Sequence, residues 1–162
     1  MKSGRKMLIW IGPGWPTLEG PGYEQVTDTT QRELFGFIFN TAQAVRDARI
    51  TLYGINPEGG LGAEYYKSFL KGVASARQAQ AGNLAMPVFA IHSGGLAFEK
   101  VGDLVRELNS CIADAKTYYT LGFNPPDAEH VNEYRELEVK VAKPHMKART
   151  NTGYYAEPPP KP

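Results

Sequence analysis

Two short β-prone runs, "MLIWI" at 7–11 and "ITLYGI" at 50–55, flank one long amphipathic stretch. Within that stretch Leu34, Ile38, Ala42 and Val45 recur at four- and three-residue intervals, with Phe35 and Phe39 beside them. Such a broad apolar stripe belongs to a helix that lies on a sheet. Thr30 and Glu33 have the spacing of a capping box, which predicts a helix start near Thr30. Strand, helix and strand in this order imply parallel pairing through a right-handed crossover. The uninterrupted apolar character of 7–11 predicts a strand buried on both faces. The fold class that follows is α/β: a partial doubly wound, Rossmann-like parallel sheet with helices.

Further along, Tyr66, Phe69, Leu70 and Val73 fall on one face of a predicted helix over 63–78. "NLAMPVFAIHSGG" (83–95) predicts a short helix, with Asn83 as its cap, Pro87 in the tolerant first turn and Gly94 or Gly95 ending it. "LAF" at 96–98 reads as a small strand. Asp103 then caps a helix that turns Leu104, Leu108, Cys111, Ile112 and Ala115 inward. Beyond it, 117–123, 134–142 and 146–150 predict three strands of an antiparallel β extension. In the second of these Leu137, Val139 and Val141 alternate with charged residues. The expected organisation is an α/β body over 1–115, the β extension over 116–156 and a Pro-rich tail over 157–162.

The loop after the first strand, "IGPGWPTLEGPG" (11–22), stands where α/β proteins hold ligands. A phosphate-binding loop needs backbone N–H donors, then Lys and Ser/Thr entering a helix. Here Pro13 and Pro16 remove donors, and no lysine occurs between Lys6 and Lys67. The dinucleotide pattern is also incomplete, because Thr17 occupies the place of its third glycine. His92 and Ser93 are neighbours, and neighbours on a helix point about 100° apart, which is no catalytic pairing. They read instead as a helix end and its stop signal. Cys111, the sole cysteine, falls on an apolar helix face and reads as a small core residue. The three histidines are scattered without metal-ligand spacing. No cofactor and no metal are expected.

The 162 residues are 42% apolar and 22% charged, with a formal net charge of +1. This composition suits a globular domain and supplies no field for nucleic acid or an anionic membrane. No apolar run is long enough to span a bilayer, and the sequence identifies no compartment. Lys140, Lys143, His145, Lys147 and Arg149 read as a solvated strand face. The tyrosine doublets 65–66, 118–119 and 154–155 would each pack one ring and present the other.

Taken together and in order, "GRKMLIWIGPGWP", "ITLYGINPEGG", "SGGLAF", "TYYTLGFNPP" and "ARTNTGYYAEP" resemble von Willebrand factor A-related domains of the Acidobacterial type. The resemblance runs from about Gly4 to Glu157 and implies the C-terminal half of such a domain plus its β extension. In that reading 7–11 corresponds to the domain's fourth strand and 50–55 to its fifth. The family's metal-ion-dependent adhesion site takes an Asp-x-Ser-x-Ser group, a Thr and an Asp from three loops. The first two groups have no counterpart here, and Pro13 stands near the place of the Asp, with no oxygen in its side chain.

The function expected is a non-catalytic protein-binding or scaffold module. It would bind through the strand-end residues Gly14, Trp15 and Asn56 or through an exposed sheet edge, with Trp15 as a Pro-braced anchor. Its partner would be a protein: the N-terminal half of such a domain, or a second copy. The alternative is an α/β enzyme or binding protein for a small anionic ligand in the strand-end crevice.

Overall fold

The computed structural model describes residues 4–14, 27–59 and 65–159. Strand β1 (Lys6–Ile11) leads through helix α1 (Asp28–Asp47) to strand β2 (Ile50–Ile55). Helix α2 (Met86–His92), strand β3 (Ala97–Phe98) and helix α3 (Leu104–Lys116) follow, then strands β4 (Glu133–Glu136) and β5 (Gly153–Ala156). β1, β2 and β3 form a parallel sheet in that order, and β4 pairs with β5 in a separate antiparallel sheet. The chain is therefore α/β with a parallel sheet and a β extension.

The starts of α1 and α3 follow side-chain caps. α1 begins earlier than its apolar stripe suggested, because Thr27, in extended conformation, accepts a hydrogen bond from the Thr30 N–H at 3.1 Å. Thr30 itself is buried one turn inside. Asp103 Oδ1 caps α3 as expected, accepting from the Val105 and Arg106 N–H groups. α2 carries Pro87 in its first turn, and Gly94 at φ 84° ends it. Asn83 does not cap α2. It closes a 3-10 turn over Ala81–Leu84, accepting from the Gln80 N–H and donating to Leu70's neighbour Phe69 at its carbonyl.

The helix expected over 63–78 is absent from the described part of that stretch. Two 3-10 turns, Tyr65–Phe69 and Ala76–Gln78, stand there instead. Side chains take backbone groups that a helix would use itself. The Leu70 carbonyl faces His92 Nε2, the Val73 carbonyl accepts from the Tyr155 hydroxyl, and the Ala74 N–H donates to Gln78 Oε1. Gly72 lies flat against the Tyr134 ring, where a Cβ would come within 2.0 Å of it.

β2 is the centre of the molecule, buried from Thr51 through Ile55. On one face Leu52 packs with Phe89 and Ala90 of α2, and with Ala42 and Val45 of α1. On the other, Tyr53 and Ile55 pack with Cys111, Leu104, Leu108 and Ala115 of α3. Ile112, expected inward, is 39% exposed. The Tyr53 hydroxyl donates to Asp114 at 2.8 Å, Arg149 pairs with the same carboxylate, and Arg5 reaches Thr51 and Tyr53 from the start of β1. Arg5 also lies over the Tyr118 ring. β1 departs from its expectation of double burial, and the reason is its place at the sheet edge.

The β extension differs from expectation as well. Neither 117–123 nor 146–150 is a strand, and the predicted strand over 134–142 is reduced to β4. Its partner is β5, which the alternation rule did not single out. Tyr154 and Tyr155 are both buried, instead of one packing and one facing outward. Tyr155 sits edge-on to Phe35, Phe39 and Tyr134, while Tyr154 packs with Ala128, Ala156 and Leu137 under the Arg46 guanidinium. With α1 on one side of β5 and the 123–137 segment on the other, neither ring has water to face.

The turn Ser93–Gly94–Gly95 joins these layers. The Ser93 hydroxyl accepts from the Leu52 N–H at 2.8 Å and donates to the Ala90 carbonyl at 2.9 Å. A Cβ on Gly95 would stand 1.7 Å from the Leu52 carbonyl oxygen, and one on Gly94 2.9 Å from the Thr150 backbone. Ser93→Ala strands a buried N–H and should cost about 1–3 kcal/mol, a fall in Tm of roughly 2–10 °C. Gly95→Ala forces backbone apart and should cost at least about 3 kcal/mol. Thermal melts followed by circular dichroism check both, and a Gly95→Ala protein as stable as the parent would contradict this packing.

Candidate functional site

In parallel α/β sheets ligands gather beyond the C-terminal ends of the strands. After β1 the chain turns at Gly12 (φ 148°) and Gly14 (φ 112°), and the Gly12 N–H is spent on the Ile55 carbonyl. Gly14 has open space around it. Trp15 lies outside the described residues. Asn56, after β2, is buried, with 3% exposure; its N–H donates to the Phe98 carbonyl and its Nδ2 to Glu99 Oε2 at 3.4 Å. The structure thus places Asn56 as a brace between the ends of β2 and β3.

The polar groups at this end are mostly acceptors. Asn56 Oδ1 and Glu107 Oε2 are buried without a hydrogen-bond partner among the described residues. Burial raises the Glu99 carboxyl above its ordinary range, and the Asn56 amide partly offsets this. Among the described residues, the buried or half-buried polar atoms at this end include the Asn56 amide oxygen and the Glu99 and Glu107 carboxylates. Among the described residues no three His, Cys, Asp or Glu side chains are grouped to hold a metal ion.

The nucleophile candidates are committed to structure. Both hydrogen-bonding roles of Ser93 are taken, as described above. His92 is mostly enclosed, its Nε2 lies 3.2 Å from the Leu70 carbonyl, and burial lowers its pKa below the ordinary 6.5. Cys111 is fully buried, and burial followed by the nearby Glu107 raises its thiol pKa. A cavity of about 40 Å³ lies between α1, α2 and β5, lined in part by Arg46, His92, Asn151 and Tyr155. That volume accommodates water rather than a metabolite.

The most unusual surface is the outer edge of β1. Met7, Leu8 and Ile11 are 43%, 41% and 49% exposed. The Lys6 and Gly12 N–H groups point to β2, donating to Arg49 and Ile55. By strand alternation Met7, Ile9 and Ile11 therefore turn their N–H and C=O groups outward, where no strand pairs with them among the described residues. The register sets Met7, Ile9 and Ile11 on the Tyr53 face and Leu8 and Trp10 on the Leu52 face. Among the described residues the edge has few of the usual protections: β1 is six residues long and contains no proline. Its single lysine, Lys6, is folded back onto the Ala48 carbonyl at 2.7 Å.

Sequence reasoning expected an exposed sheet edge without naming its residues. Which strand is outermost depends on strand order, and no local pattern in 7–11 carries that information. No family model, no curated protein and no solved structure matches the chain. Among the described residues no helix is long and apolar enough to cross a membrane.

The half-buried His92 gives a pH prediction. Its folded-state pKa is depressed, so the unfolded chain binds the proton more readily. The stabilisation is complete above about pH 6.5, the unfolded value, and is lost as the pH falls toward the lower folded value. Melts between pH 7.5 and 5 should show the parent losing more stability than His92→Gln, and parallel pH profiles would contradict a half-buried neutral imidazole.

Proposed function

We propose that this chain is a non-catalytic protein-binding or scaffold module, of the von Willebrand factor A-related type and without an intact metal-ion-dependent adhesion site. The single observation that carries the binding role is the β1 edge: a six-residue strand, unpaired on its outer side among the described residues, with outward backbone groups and exposed apolar side chains on both faces. Such an edge binds by accepting a further strand, with main-chain hydrogen bonds giving affinity and alternate side chains giving specificity. The partner is a polypeptide in extended conformation, from either the N-terminal half of an A-type domain or a second copy. The A-domain part of the reading rests on the five ordered motifs, and on Pro13 standing near the place of a metal-binding aspartate. The enzyme alternative draws less support, since Ser93, His92 and Cys111 are all occupied in holding the fold.

Selection of displayed peptides against the immobilised chain tests the reading. Binders should be extended sequences of alternating apolar residues, and Ile11→Lys should weaken them at least tenfold. Val105→Lys, on the exposed side of α3, should leave them unchanged. A selection that yields only binders indifferent to Ile11→Lys would sink the proposal.

A further inference from the structure

We infer that the strand completing the β1 edge is β1 of a second copy, paired antiparallel about a two-fold axis through Ile9. This inference rests on the edge-binding reading above and names its partner. The outward backbone groups belong to Met7, Ile9 and Ile11, which are symmetric about Ile9. In an antiparallel pair centred there, Ile9 faces its own counterpart, Met7 faces Ile11 of the other copy, and Leu8 faces Trp10. Each outward N–H then meets an outward C=O, as hydrogen-bonded antiparallel pairs require. Two identical patches meet through one axis, so the contact closes at a dimer.

The side chains fit the same register. Met7 and Ile11 are among the most exposed apolar residues of the sheet, and both lie on the Tyr53 face. The pairing sets each against the other and removes both from water. On the opposite face it sets the exposed Leu8 beside the partly buried Trp10. Charge raises no obstacle: Lys6 would stand opposite Gly12 and Arg5 opposite Pro13, so no like charges confront one another. A formal net charge of +1 leaves little repulsion between copies. A register displaced by two residues would leave an exposed apolar side chain unmatched at each end. The result is a continuous six-stranded sheet in the order β3-β2-β1-β1-β2-β3.

Light scattering on the full chain at about 100 µM tests this, and the expected mass is twice 17.9 kDa. Met7→Lys alone and Ile11→Glu alone should each weaken association at least tenfold. Both in one chain should restore it, because position 7 of one copy faces position 11 of the other. Circular dichroism on each variant confirms folding. Independently, Ile9→Cys should cross-link on mild oxidation, since residues facing each other across such a pair lie about 5.5 Å apart, within disulfide reach. Met7→Cys should not, its counterpart being about 14 Å along the strand. Cys111 is fully buried and does not interfere.

A monomeric parent, a dimer indifferent to both single substitutions, or no rescue by the pair would each overturn the second-copy inference. Should the single variants fail to fold, the Ile9→Cys and Met7→Cys comparison decides alone. A monomer that still captures peptides through Ile11 overturns only the identity of the partner. A monomer that captures none overturns the edge-binding reading as well.

Discussion

The hydrogen bond from the Leu52 N–H to the Ser93 hydroxyl is the joint on which the layers depend. β3 is so short that it pairs only with Gly54 and Ile55, leaving Leu52 without a strand partner on that side. Ser93 supplies the missing acceptor and its O–H donates a hydrogen bond to the Ala90 carbonyl. Gly95 lets the turn lie directly on the Leu52 carbonyl, and Gly94 does the same against Thr150. The Thr152 N–H then donates to the His92 carbonyl, which carries the chain into β5. One turn thereby orients α2 on the sheet and the β extension on α2. A side chain larger than hydrogen at 95, or an apolar one at 93, acts on all three.

Around this joint the two faces of β2 are held by different physics. The Leu52 face is held by packing of α1 and α2 with few polar atoms. The Tyr53 face adds a chain of charged and polar groups, Arg5, Tyr53, Asp114 and Arg149, that ties β1, β2, α3 and the C-terminal segment together. Tyr53 is fully buried and its phenol is pushed to a higher pKa by that burial, with Arg5 pulling the other way. The hydroxyl therefore stays protonated and donates to Asp114. Removing Asp114 would leave a buried donor without its acceptor, the costlier kind of loss.

Much of this was legible in the sequence where the cause is local. The β1–α1–β2 unit follows from apolar periodicity, the start of α3 from Asp103, and the end of α2 from Ser93–Gly94–Gly95. What was not legible depends on distant partners. The stretch 65–78 has the apolar spacing of a helix, but His92 and Tyr155 claim its backbone groups. β5 has no alternation to read, because α1 and the 123–137 segment bury both of its tyrosines. At the strand ends the positions of Gly14 and Asn56 followed from topology. The inward turn of Asn56 did not, since it depends on Glu99 arriving from β3.

The two edges of the parallel sheet are built differently, and the difference bears on function. β3 limits its edge by length: two residues offer too little backbone for another chain to pair with. β1 offers six, without proline, and with its lysine drawn away to the Ala48 carbonyl. Covering the edge with a strand satisfies the outward N–H and C=O groups of Met7, Ile9 and Ile11, and the same act buries side chains on both faces. A helix laid across β1 would shield only one face and leave those backbone groups unpaired. Of these two elements, only a strand would meet both demands of the edge.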